Sequence, residues 1–74
     1  MELAKIVGEN LKTARKGKGL TQKEVAELML MTQQQYSRFE NGVYELNYSQ
    51  IKQLCALLDM TPDELFETDD GRRH

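Results

Sequence analysis

Two helix-start signals, at Thr21 and Thr32, constrain what this chain can fold into more than any other feature. In the stretch from Leu20 to Gly42, LTQKEVAELMLMTQQQYSRFENG, Thr21 is followed three residues on by Glu24, and Thr32 by Gln35. Each is a capping box, in which the hydroxyl accepts from the N3 amide while the N3 side chain reaches back to the N-cap amide. Leu20 with Val25, and Met31 with Tyr36, hold the N′ and N4 positions of a hydrophobic staple, so the approach angle of both helices is set. Only Leu30 and Met31 remain between the helices, which leaves room for nothing but a sharp turn. Asn41-Gly42 then stops the second helix, since both residues tolerate positive φ.

Helical spacing divides the second helix, 32–41, into two faces. Tyr36 and Phe39, three apart, share one face, with Met31 packing from below. Gln33, Gln34, Ser37 and Arg38 fall on the other. A core helix has little use for that polar set, whereas a helix in a DNA major groove does: Gln pairs bidentately with adenine, and Arg with guanine O6/N7. These four are the candidate base-reading residues.

The rest of the chain reads as helices closed by caps. Leu3, Ile6, Val7, Leu11 and Ala14 form one apolar helical stripe with Asn10 at its edge, and Gly19 is placed to end that helix. Arg15-Lys16-Gly17-Lys18 sits at its C-terminus, where the macrodipole favours cations. Phosphate contact from Lys16 or Lys18 is a second reading, compatible with the first. Val43-Tyr44-Glu45-Leu46 is a loop more apolar than its position needs. Asn47 with Gln50 makes a third capping box, and Tyr48, Ile51, Leu54, Cys55 and Leu58 are expected as a buried stripe. After a turn at Asp59-Met60, Thr61-Pro62-Asp63-Glu64 starts a last short helix anchored by Leu65 and Phe66, with Met60 stapled against Leu65. From Glu67 on nothing apolar remains. The expectation is an all-α, five-helix domain over residues 1–67 with a flexible tail over 68–74.

Charge and composition narrow the function. The net charge of −2 argues at first sight against nucleic acid. Its distribution argues the other way: residues 1–23 hold six basic residues (Lys5, Lys12, Arg15, Lys16, Lys18, Lys23) and two acids, while 59–70 hold six acids and no base. A dipolar domain can turn a positive face to phosphates, which makes Lys16, Lys18 and Lys23 candidate backbone contacts; a merely solubilising surface is the plainer alternative. One cysteine and no Cys/His cluster leave no disulfide framework and no zinc site, and Cys55 is expected as a buried reduced thiol. The only histidine is His74, and no acid pair or nucleophile–base set stands out, so neither an enzyme nor a cofactor is expected. No N-terminal apolar run resembles a signal peptide or a membrane span, so the expected compartment is the cytoplasm.

Taken together, Leu20-Thr21-Gln22 with Glu24-Val25-Ala26, Thr32-Gln33-Gln34, Glu40-Asn41-Gly42, and Leu58-Asp59-Met60-Thr61 before Asp63-Glu64-Leu65 resemble the lambdoid phage repressor and Cro type of helix-turn-helix domain (Xre-like), found also in bacterial regulators and antitoxins. The resemblance runs from about Ile6 to Phe66, and Ala26 fits the small residue the family needs where its two helices cross. It implies a sequence-specific double-stranded DNA-binding transcriptional regulator, a repressor, that reads the major groove with helix 32–41. Gln22 resembles the family glutamine that bonds a phosphate and braces the neighbouring recognition residue. Gln33, Gln34 and Arg38 occupy base-reading positions beside Ser37, and Thr32 and Asn41 match positions that touch the DNA backbone, besides capping. Arg15 and Glu40 match a pair that forms a salt bridge between the first and third helices.

Three positions depart from the family pattern. Leu30 stands where the turn usually has glycine, so it is either left-handed at a cost of about 1–2 kcal/mol or in another turn geometry. The Val43–Leu46 loop lacks the usual basic residues and proline, which weakens the expected backbone grip. Tyr36 replaces an aliphatic residue, and its hydroxyl must reach water or a partner. Family members commonly bind palindromic sites as two-fold dimers, so a homodimer through Val43, Tyr44, Leu46 and Leu57 is expected; the alternative has Val43 and Leu46 folding inward, leaving a monomer that pairs only on DNA. The rival function is a protein-interaction module such as an antitoxin. It would use Leu28, Leu30, Val43, Tyr44 and Leu57 on a partner protein, with or without DNA binding of its own.

Overall fold

Every helix after the first begins with the same reciprocal pair of bonds. Thr21, Thr32, Asn47 and Thr61 each accept from the N3 amide at 2.8–3.1 Å, and Glu24, Gln35, Gln50 and Glu64 each accept from the N-cap amide at 2.8–3.2 Å. The computed structural model describes residues 2–68, and these caps set the starts of α2 (Gln22–Leu28), α3 (Gln33–Glu40), α4 (Tyr48–Leu57) and α5 (Pro62–Leu65). They follow α1 (Leu3–Gly17), which has no side-chain cap at Glu2. Among the described residues there is no strand, and the fold is all-α.

The first four helices also end alike. Leu20, Met31, Val43 and Met60 donate to the carbonyls of Arg15, Ala26, Arg38 and Cys55 at 2.9–3.1 Å, the long bond of a Schellman motif. The residue before each donor is left-handed: Gly19 (φ 74°), Leu30 (φ 58°), Gly42 (φ 75°) and Asp59 (φ 53°). Leu30 therefore takes the strained alternative, and its side chain is 94% exposed, so no packing compensates it.

The core is drawn from every helix. Val7 and Leu11 of α1, Val25 and Ala26 of α2, Tyr36 and Phe39 of α3, Leu54 and Cys55 of α4, and Leu65 of α5 are buried together with Met29 and Leu58. Leu20, Met31 and Met60, the N′ staple residues, pack against it half-buried. Burial pushes the free Cys55 thiol up, with a smaller push from Glu64.

Two contacts in α1 set its neighbours in place. A Cβ at Gly8 would meet the Glu40 carbonyl oxygen at 2.3 Å, so only glycine lets α1 pass this close to the end of α3. The Asn10 amide donates to the carbonyls of Leu65 (2.8 Å) and Glu67 (2.9 Å), tying the end of α5 to α1. From the edge of the stripe Asn10 thus caps the end of another helix.

Two apolar expectations need correction. Tyr48 is not in the buried stripe but 92% exposed. It opens α4, roughly 75° around the helix from the centre of the Leu54–Cys55–Leu58 stripe at 100° per residue, with no preceding helical turn to pack beneath it. Phe66 is partly exposed at the C-cap of α5, where Leu65 alone is fully buried. The tail expected over 68–74 lies outside the described residues except for Thr68.

Candidate nucleic-acid interface

Caps at both ends fix α3 along its axis, and a charged cluster fixes its rotation. Arg15 Nε donates to Glu40 Oε2 at 2.6 Å and Nη2 donates to Oε1 at 3.2 Å, a two-point pair with side chains only 9% and 1% exposed. Arg15 Nη1 donates to the Leu20 carbonyl at 2.8 Å, so the same side chain closes the end of α1. Gln22 Nε2 adds a bond to Glu40 Oε1 at 3.0 Å. Burial pushes the Glu40 carboxyl up, but hydrogen bonds from Arg15 and Gln22 outweigh it and hold the group below its ordinary value. The bond to Glu40 holds the Arg15 guanidinium above its own, against burial. Tyr36 is buried beside the pair, and desolvation, then Glu40, push its phenol far up. Its hydroxyl meets no partner at hydrogen-bonding geometry among the described residues.

The opposite side of α3 is open. Gln33, Gln34 and Arg38 are exposed, and Ser37 is half-buried with Asn41 Nδ2 donating to its Oγ at 3.4 Å. Among the described residues the Gln33 and Gln34 side chains make no hydrogen bond or ion pair. Thr32 is committed to its cap, and Gln22 is turned inward, with one of the two amide hydrogens that a phosphate could also use given to Glu40. Lys16 and Lys23 are exposed. Lys18 Nζ pairs with Asp59 Oδ2 at 2.9 Å; both side chains are well exposed, and such a pair contributes little.

The loop after α3 divides. Val43 is 64% and Tyr44 46% exposed, whereas Leu46, and Leu57 on α4, pack half-buried against the core. Sequence periodicity does not show that Tyr44 reaches back to Arg38, whose Cζ lies 5.6 Å from the ring centroid. Nor does it show that a Cβ at Gly42 would strike Lys5 of α1 at 2.6 Å. Both are contacts between elements. No helix among the described residues is long and apolar enough to cross a membrane, and no group of His, Cys, Asp and Glu there could hold a metal ion.

This arrangement of helices is found in known proteins. The structure of the hypothetical transcription factor NHTF from Neisseria matches with a TM-score of 0.85 at 22% identity, over 97% of this chain and 83% of that one. The uncharacterized HTH-type transcriptional regulator YqaE of Bacillus subtilis (strain 168) is 32% identical over 65 residues, which are 88% of this chain and 56% of YqaE. The chain therefore spans little more than half the length of that relative. The profile of the helix-turn-helix family matches residues 11–65, from the middle of α1 to the end of α5. The chain belongs to the helix-turn-helix family of the phage repressor and Cro type, a family of DNA-binding regulators and not of enzymes.

Proposed function

We propose that the protein is a sequence-specific transcription regulator, a repressor, that sets α3 in the major groove of double-stranded DNA. The observation that carries this reading is the outer face of α3: Gln33 and Gln34 stand exposed and unbonded on a helix whose other face is locked into the core. Gln33, Gln34, Ser37 and Arg38 read base edges. Lys16, Lys18, Lys23, Gln22, Thr32 and Asn41 contact phosphates, Lys18 by exchanging its weak surface pair for a phosphate oxygen. One such helix covers few base pairs, so two protomers bind a palindromic site with half-sites about 34 Å apart. Val43 and Tyr44, with the exposed edges of Leu46 and Leu57, supply the surface for pairing.

A mobility-shift titration against DNA upstream of the protein's own gene tests the reading. Arg38→Ala should cost about 1–3 kcal/mol and relax preference at one G·C pair. Lys16→Ala should weaken all duplexes alike and flatten the salt dependence. Unchanged affinity and preference in Arg38→Ala would end the base-reading claim. Sedimentation of the free protein, monomeric from micromolar to near-millimolar concentration, would leave pairing to the DNA. A failure to shift any duplex would turn attention to the exposed Leu28 and Leu30 as a surface for a partner protein.

A further inference from the structure

The loop after α3 folds back onto the helix it leaves. The amides of Val43 and Tyr44 both donate to the Arg38 carbonyl, at 2.9 and 3.3 Å, which pins this loop to the backbone of a base-reading residue. The Tyr44 ring is thereby placed between two side chains of α3. One of them is Phe39, in the core, met edge to face with centroids 6.1 Å apart and planes at 66°. The other is the Arg38 guanidinium, 5.6 Å from the ring centroid, with Nη1 3.4 Å from the tyrosine hydroxyl.

From this wedge we propose that Tyr44 is a positioning residue for Arg38, holding the guanidinium against its ring before the base is met. The inference rests on the reading of α3 as a base-reading helix. An exposed arginine otherwise spreads over many rotamers, and a bidentate contact with guanine requires one. The ring is the effective part, because a cation within about 6 Å of the centroid is attracted to the face, while a hydroxyl at 3.4 Å is a weak acceptor. Even with that contact kept, most of the five N–H donors of the guanidinium remain for a base.

Selection from a library of random-sequence duplexes by the wild-type protein gives the probe, and Arg38→Ala then identifies the base pair that Arg38 reads. The measured quantity is the ratio of dissociation constants for the favoured and the substituted pair at that position. Tyr44→Leu should reduce this ratio about two- to fivefold, the size expected for an exposed cation–ring contact, while Tyr44→Phe keeps it near wild type. In the Arg38→Ala background Tyr44→Leu should reduce it no further. Thermal unfolding checks both variants, and Tyr44→Met replaces the leucine variant if that one does not fold. Equal weakening on all duplexes with the ratio intact would overturn the proposal and return Tyr44 to a role in pairing protomers. A ratio that rises would overturn it too, since the ring would then be holding Arg38 away from the base. If Arg38→Ala itself changes no base preference, the base-reading role fails at the first measurement and the role of Tyr44 falls with it.

Discussion

The two faces of α3 treat polar groups in opposite ways. On the inner face Glu40 is almost wholly buried, and both its oxygens are met, by Arg15 and Gln22. On the outer face Gln33 and Gln34 stand in solvent with nothing to bond. The inner cluster cannot adapt, since moving either member of the Arg15–Glu40 pair strands a buried charge. The outer set is free to meet a ligand whose hydrogen-bonding groups lie outside the chain. Within one eight-residue helix, one side fixes position and the other is left open to solvent.

The largest effect should come from breaking the inner face. Arg15→Ala leaves the Glu40 carboxylate buried without its cation and should cost about 3–5 kcal/mol in denaturant unfolding. A loss below about 1 kcal/mol would mean that Glu40 escapes to solvent and that the two faces differ less than their geometry suggests. The same cluster should sensitise the fold to acid. Glu40 has a folded pKa held below its ordinary 4.5, so the stability it contributes is complete above that value and drains away as pH falls through the folded one. Arg15→Ala should flatten the acid limb of the stability curve.

The turn leading into α3 sharpens the contrast with a smaller effect. Leu30 and Asp59 hold the same left-handed position after α2 and α4, but aspartate visits that conformation readily and leucine does not. Leu30→Gly should therefore stabilise by about 1–2 kcal/mol, and Asp59→Gly by less. Equal gains at the two sites would show that side-chain type does not set the strain. With α3 still held by Arg15 and Glu40, DNA preference should not move in Leu30→Gly.

Much of this was legible in the residues. Capping boxes and staples are local patterns of four to six residues, and Thr21, Thr32, Asn47 and Thr61 all cap as their spacing implies. The polar face of α3 follows from helical periodicity alone. What escaped depends on contacts between distant segments. Gly8 carries no signal of its own until Glu40 is seen against it, and Asn10 stands only at the edge of a stripe until the carbonyls of Leu65 and Glu67 arrive. Tyr48 shows the opposite failure, where a periodic pattern runs one turn past the core it describes. Tyr44 bracing Arg38 crosses a turn, where no period applies.

The smallest change in stability should accompany a full loss of one reading contact. Gln34 lies in the first turn of α3, exposed, with its amide unbonded among the described residues. Alanine there removes no cap, because Thr32 and Gln35 make the box, and alanine is the better helix former. Gln34→Ala should thus leave unfolding free energy within about 0.5 kcal/mol of wild type. On DNA the same variant should lose about 1–3 kcal/mol of preference at one A·T pair while binding unrelated duplexes as before, because glutamine carries no charge to neutralise a phosphate. A variant that melts early would place Gln34 on the structural side of the helix. One that weakens on all sequences alike would make it a backbone contact. Only a preference lost at constant stability agrees with the proposed reading of a base by Gln34.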